Sequence, residues 1–323
     1  MTPAPRVGLM RIACVTCALT VIGCGAVPAT APSETFRPPP PLALVAIVDP
    51  SASEAANELR QLGAVIQAGV TPSQTLVVSL LSAAPAAATY VVRGGDSLSS
   101  IAAAHGVPLA SLQDANPQLG PLAHRDWSRV YPGDRVTVPP SGGGLPARNA
   151  IVSRAPAGPR PPALVRGPAR PANATTFQDA QYRRSAADAE AANRERIASW
   201  RAEAARQLRP WQTQVLARLD ELARSLDGVA ADGAGDVAAA IESAANTLAG
   251  LPGRRVLLVL AGGRMSGAGG AASGRSLAGV HVVIANVADP SEAALPGAAA
   301  AGATVTTLDP ALTELELAAA VNG

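Results

Sequence analysis

From Leu42 to Val48 the chain reads Leu-Ala-Leu-Val-Ala-Ile-Val, an unbroken apolar run of the kind that forms a strand buried on both faces. Asp49-Pro50-Ser51-Ala52-Ser53 follows and opens a helix to about Gly69, with Ala56, Leu59, Leu62, Val65 and Ile66 at helical spacing. Thr75 to Leu81 is the next strand. Strand, helix, strand is the opening of a doubly wound sheet. The uncharged stretch Leu62 to Val92 is cut by Pro72-Ser73-Gln74-Thr75 and by Pro85, which makes it a strand between turns and not a membrane span.

The same pattern returns near the other end. A helix from about Asp236 to Ala249 leads through Leu251-Pro252-Gly253 into a strand over Arg255 to Ala261. Gly279 to Val287 and Ala303 to Leu308 supply two more strands, and Thr313 to Val321 closes the chain as a helix. With no hairpin signal among them, these strands predict a parallel sheet, so the fold class is α/β. Ahead of them, Phe177 to about Leu226 is helical, with Tyr182, Ala186, Ala189, Ile197, Trp200, Ala204 and Leu208 on a narrow apolar stripe. Pro210 divides that run, and Trp211, Val215, Leu219 and Leu222 mark a second amphipathic helix beyond it. The Glu190–Arg194 pair at i,i+4 is typical of an exposed helix; the stripe suits either a coiled-coil partner or the chain's own domain.

Between the two halves of the sheet lies a segment of a different kind. Leu98, Ile101, Ala102, Val107, Leu109 and Leu112 give one apolar face across two short helices, backed by Val91 and by Val136 or Val138 on two strands. Asp96 or Ser97 is placed to cap the first helix, Gly106 to end it in the left-handed conformation, and Pro132-Gly133 to turn the chain into the last strand. Tyr90-Val91-Val92-Arg93-Gly94-Gly95-Asp96-Ser97-Leu98-Ser99-Ser100-Ile101-Ala102 resembles the opening of a LysM module. The likeness continues in order through His105-Gly106-Val107-Pro108, Leu109-Ala110-Ser111-Leu112, Asn116-Pro117 and Val130-Tyr131-Pro132-Gly133-Asp134-Arg135-Val136-Thr137-Val138-Pro139.

The resemblance implies a βααβ fold that binds N-acetylglucosamine-containing strands of peptidoglycan or a chitin-like glycan, without catalysis. Its groove would involve Gly95, Asp96, Ser97, Leu98, Asn116 and Pro117, so Asp96→Arg or Asn116→Arg should weaken binding and leave the module folded. The loop Leu119 to Arg129 is longer than in compact members of the family and carries Trp127, which could stack on a sugar or pack on the module's edge.

The first residues supply an address. Arg6 and Arg11 precede the apolar run Ile12 to Ile22, too short to span a bilayer but suited to a signal segment. Val21-Ile22-Gly23-Cys24 resembles the lipobox of bacterial lipoproteins, which implies export and a lipid anchor on Cys24; an ordinary signal cut after Ala26 or Ala29 is the alternative. Cys14, Cys17 and Cys24 are the chain's three cysteines, so one remains in the mature protein and no disulfide can form within it. The expected location is the cell membrane, lipid-anchored and facing the wall or periplasm.

The division of the chain is then residues 1–23 as signal peptide, 24–41 as Pro-rich stalk, 42–84 as the first part of the α/β domain, and 89–140 as the module. Residues 141–175 follow as a Pro-, Gly- and Arg-rich linker, and 176–323 as the second part of the α/β domain. The linker serves spacing or touches anionic polymers and head groups.

Composition narrows the chemistry. All 26 basic residues are Arg, so P-loop, Schiff-base and kinase-type lysine chemistry is excluded in its usual forms. A net charge of +2 and 2% aromatic residues leave little for nucleic acid to bind. His105, His124 and His281 are dispersed, no nucleophile or metallohydrolase motif occurs, and no cofactor is implied.

The α/β domain resembles a degenerate von Willebrand factor A-like domain with the module inserted after its second strand. The likeness rests on Asp49-Pro50-Ser51-Ala52-Ser53 and on the helix and strand Ala238 to Gly263. Gly235 and Ala261-Gly262-Gly263 stand where that family places its other metal ligands, so no working metal site is expected, and Ser51 and Ser53 read as helix caps. The overall expectation is a lipid-anchored, non-catalytic glycan-binding protein whose α/β domain has an unknown protein partner. A metal-dependent adhesion receptor or a cell-wall enzyme built on that domain is the alternative.

Overall fold

The computed structural model describes residues 34–50, 54–82, 87–140, 147–226, 236–260, 277–285, 303–308 and 314–322. Its centre is a six-stranded sheet. Strands β1 (Leu42–Val48), β2 (Thr75–Leu81), β5 (Ala147–Arg154), β6 (Arg254–Leu260), β7 (Val280–Ala285) and β8 (Thr304–Thr307) lie in the order β5-β2-β1-β6-β7-β8. All neighbours are parallel except β5, which runs antiparallel to β2. A separate antiparallel pair, β3 (Ala88–Val91) and β4 (Arg135–Val138), belongs to the inserted module.

Period-2 alternation sorts the central strands between two cores. Leu42, Leu44, Ala46 and Val48 point into one, while Ala43, Val45 and Ile47 point into the other. The first face is covered by three helices: α1 (Ala55–Ala68), the C-terminal half of α4 (Thr176–Leu226) and α6 (Glu314–Asn322). The second face carries α5 (Val237–Ala249). Six strands at about 4.8 Å spacing span roughly 24 Å, whereas one helix is about 10 Å across. Part of the remaining width, over β2 and β5, is covered by Leu122 of the module, which lies in the same core as Val77, Leu81 and Ala147.

The linker reading of residues 141–175 is corrected over Ala147–Arg154. These residues form the antiparallel edge strand, with Ile151 4% exposed in the core. Trp211 Nε1 donates to Ser153 Oγ at 2.8 Å, and Ser79 Oγ donates to Asn149 Oδ1 at 2.8 Å. The pattern does not mark this strand because only Ala147 and Ile151 are buried apolar residues, while Asn149 and Arg154 make polar bonds to β2 and the module.

The two-helix reading of 177–226 is also corrected, since α4 is one helix of 51 residues with Pro210 inside it, some 76 Å long at 1.5 Å per residue. A proline lacks one i→i−4 donor, but its neighbours Leu208, Trp211, Val215, Leu219 and Ala223 are buried against the sheet-side core and hold the two halves in line. Between coiled coil and self-packing, the structure shows the latter. Gln212 Nε2 donates to the Ile66 carbonyl at the end of α1 at 2.9 Å.

The N-terminal half of α4 carries a proline-rich strap. Asn193 pairs with both backbone groups of Val165, and Trp200 Nε1 donates to the Pro159 carbonyl at 3.0 Å. Residues 34–36 of the predicted stalk join this strap: Leu164 N donates to the Glu34 carbonyl, Phe36 N donates to that of Pro162, and the Phe36 ring meets Trp200 edge-on at 5.3 Å.

Ile151→Asp separates an edge strand from a solvated linker. The substitution is expected to lower stability by about 3 kcal/mol through an unpaired buried charge, measured by urea unfolding; an unchanged midpoint would mean that β5 does not pack.

Candidate glycan-binding site

The module is a βααβ unit: β3, α2 (Leu98–His105), α3 (Leu109–Asp114) and β4, with two short 3-10 turns, Pro117–Leu119 and Pro121–Ala123, between α3 and β4. Its own core consists of Val92, Leu98, Ile101, Ala102, Val107, Leu112, Leu119, Val136 and Val138. Val136 and Val138 both back the helices; Val91 and Leu109, expected inside, are 50% and 39% exposed.

The turn before α2 forms the first wall of the expected groove. Gly95 has φ +92°, a left-handed value that suits glycine. Asp96 does not cap the helix; its Oδ2 accepts from Arg93 N at 2.7 Å and from the Tyr90 hydroxyl at 2.8 Å, tying the turn to β3. The Arg93 N–H first, and the Tyr90 hydroxyl second, hold the Asp96 carboxyl below its ordinary value. Ser97 is the cap: its hydroxyl accepts from Ser100 N at 3.1 Å while Ser100 Oγ accepts from Ser97 N at 2.9 Å. Gly106 ends α2 at φ +66°, as its position predicted. On this wall Gly95 is exposed, Asp96 and Ser97 are half-buried, and Leu98 lies in the module's core.

The second wall is placed differently. Asn116 is fully buried, and all its polar capacity is spent within the module. Its Nδ2 donates to the carbonyls of Leu112 and Thr137, and its Oδ1 accepts from Thr137 N, each at 2.7 Å, and from Gln118 Nε2 at 3.1 Å. Pro117 is buried as well. Neither residue presents a side chain to solvent, so the expectation that Asn116→Arg would leave the module folded is corrected: Asn116 clamps α3 to β4.

The long loop after the second wall is an attachment device. Leu122 enters the α/β core, and its carbonyl accepts from Arg154 Nη1 of β5 at 2.5 Å. Trp127 packs against Gly120, where its ring occupies the space of a Cβ, and adjoins the module core, which favours edge packing over sugar stacking. Arg125 pairs with Asp134 at 2.5 Å and lies over the Tyr131 ring at 4.8 Å. Burial pushes the Asp134 carboxyl up, but the Arg125 guanidinium and the Tyr131 N–H outweigh it and leave it lowered.

Polar contacts continue the attachment. Thr89 Oγ1 donates to Glu242 Oε1 at 3.3 Å and accepts from Asn246 Nδ2 at 3.0 Å, while Arg135 Nε donates to Asn246 Oδ1 at 2.9 Å. Asn149 Nδ2 donates to the Asp114 carbonyl at 2.8 Å. Sequence reasoning missed this interface because each of its residues is unremarkable alone; the unusual loop length was the one visible signal.

With this geometry in view, the family comparison is direct: residues 90–139 match the LysM domain. The chain therefore carries a LysM domain set into a mostly parallel α/β sheet, and such a domain implies peptidoglycan or related glycan binding. No curated protein and no solved structure matches the chain.

Other expected sites fall elsewhere. Cys24, Ser51, Ser53 and Gly235 lie outside the described residues. Asp49 ends β1 next to β6, with its N–H donating to the Leu260 carbonyl at 3.0 Å, and it is 3% exposed. Among the described residues no three His, Cys, Asp or Glu side chains cluster as a metal site, and no helix is long and apolar enough to cross a membrane.

Asn116→Ala is expected to cost about 3 kcal/mol or more, because it strands three buried backbone groups. Loss of module structure, read from the amide spectrum of residues 90–139, checks it.

Proposed function

We propose that this protein is a non-catalytic, lipid-anchored envelope protein that holds peptidoglycan glycan strands through its LysM domain. The observation that carries the reading is the LysM match over residues 90–139 together with the open Gly95-Asp96-Ser97 wall, whose turn is pre-shaped by the Asp96 and Ser97 bonds. Loop amides and carbonyls at such a wall suit the acetamido groups of N-acetylated sugars and require no reactive side chain. A single shallow site binds weakly. Anchoring through Cys24 would raise its effective concentration at the wall and make modest affinity sufficient.

The α/β domain is then an interaction unit of the von Willebrand factor A-like kind, its protein partner met at the end of β1 and β6, where a doubly wound sheet changes winding direction. The absence of lysine and the scatter of histidines along the sequence support a binding role over an enzymatic one.

The full chain is expected to sediment with insoluble peptidoglycan and to be released by a soluble chitooligosaccharide. Asp96→Arg should cut retention about tenfold, equivalent to about 1.4 kcal/mol; a folded Asp96→Arg chain retained as well as wild type would refute the role of this wall. The anchor is checked separately by detergent partitioning. Wild type should enter the detergent phase and Cys24→Ala the aqueous phase, whereas partitioning of both into detergent would exclude Cys24 as the anchor.

A further inference from the structure

Residues 115–120 form an unbroken buried run, although they connect a short exposed helix to a surface loop. Part of that burial comes from outside the module. The turn Pro117–Leu119 and strand β4 both pack against α5. Gln118 is 1% exposed and lies against Gly250, the residue that ends α5, so closely that a Cβ added at Gly250 would stand 2.7 Å from Gln118 Cγ and 2.9 Å from its Cβ. We infer that α5 closes the Asn116–Leu119 side of the glycan groove, so that the docked chain offers only the Gly95–Ser97 wall and full binding requires the module to part from α5. The inference rests on the glycan-binding reading and adds its regulation.

Toward α5 the contact is polar, whereas the apolar seat of Leu122 on β2 and β5 holds the module in place when that contact parts. On the face of the β3–β4 pair turned to α5, the bonds are polar side-chain bonds, from Thr89 to Glu242, from Asn246 to Thr89 and from Arg135 to Asn246, each of which water can replace. Two polar atoms there are buried without a partner: Gln118 Oε1 and Thr137 Oγ1. Closure thus leaves an acceptor and a hydroxyl unsatisfied, a cost that hydration or an acetamido N–H and carbonyl would remove on opening. Asn116 stays in place in either state, because its bonds lie within the module. A glycan that engages the second wall binds the open state alone and shifts the population toward it.

A reversible lock tests this in the full chain. With Cys14, Cys17 and Cys24 replaced by Ser, Gln118→Cys and Gly250→Cys are combined; the Cβ separation of 2.9 Å is shorter than the roughly 3.8 Å of a disulfide, so the two backbones must spread slightly for the bond to close. Retention on insoluble peptidoglycan is measured for the oxidised and reduced forms, beside a Gly250→Leu wedge. Gly250 has φ −84°, so the wedge strains the contact and not the backbone. The reduced form should be retained at least fivefold better than the oxidised form, and the wedge better than wild type, with faster amide exchange over residues 118–120. Retention of wild type with equal retention of the oxidised and reduced forms overturns the inference while the glycan reading stands, whether or not the wedge variant folds. Absence of retention in wild type, reduced lock and wedge alike refutes the glycan reading, and the inference with it.

Discussion

A central parallel strand with two apolar faces has to be covered on both sides, and the rest of this architecture follows from that requirement. β1 has seven consecutive buried residues between β2 and β6, so neither side of the sheet can face water. One side receives three helices. Among the described residues the other receives α5, which is too narrow for six strands, and the inserted module supplies cover over β2 and β5 through Leu122. The module is therefore part of the α/β domain's layer structure as well as a LysM domain.

That dual role shapes the site. The turn before α2 is held by contacts inside the module, and its shape is independent of the neighbouring domain: Asp96 receives Arg93 N and Tyr90, and Ser97 and Ser100 exchange bonds. The segment after α3 serves two masters, since Asn116 organises the module while Gln118 and Leu122 attach it. One segment of the insertion thus carries both its internal order and its attachment.

The long helix α4 shows how tertiary packing overrides local preference. Pro210 alone argues for a break, yet Leu208, Trp211 and Val215 are buried on both sides of it against the core, and Trp211 also bonds Ser153 of the edge strand. The same packing brings β5 into the sheet and the proline-rich strap onto the helix's N-terminal half.

The α/β class, the five parallel strands, the inserted βααβ module and the turn before its first helix are legible in the sequence. These are encoded in local patterns: period-2 and period-3.6 apolar spacing, a glycine at positive φ, a serine cap, and a contiguous family motif. Tertiary structure alone decided that residues 147–154 form an edge strand, that α4 runs through Pro210, that Asn116 is a clamp, and that the Pro117–Leu119 turn lies against α5. Each depends on a partner distant in the chain, such as Val78 for Ile151, Thr137 for Asn116 and Gly250 for Gln118. A residue's own neighbours carry no record of such a partner, because one side chain can face solvent or a second domain with the same local backbone.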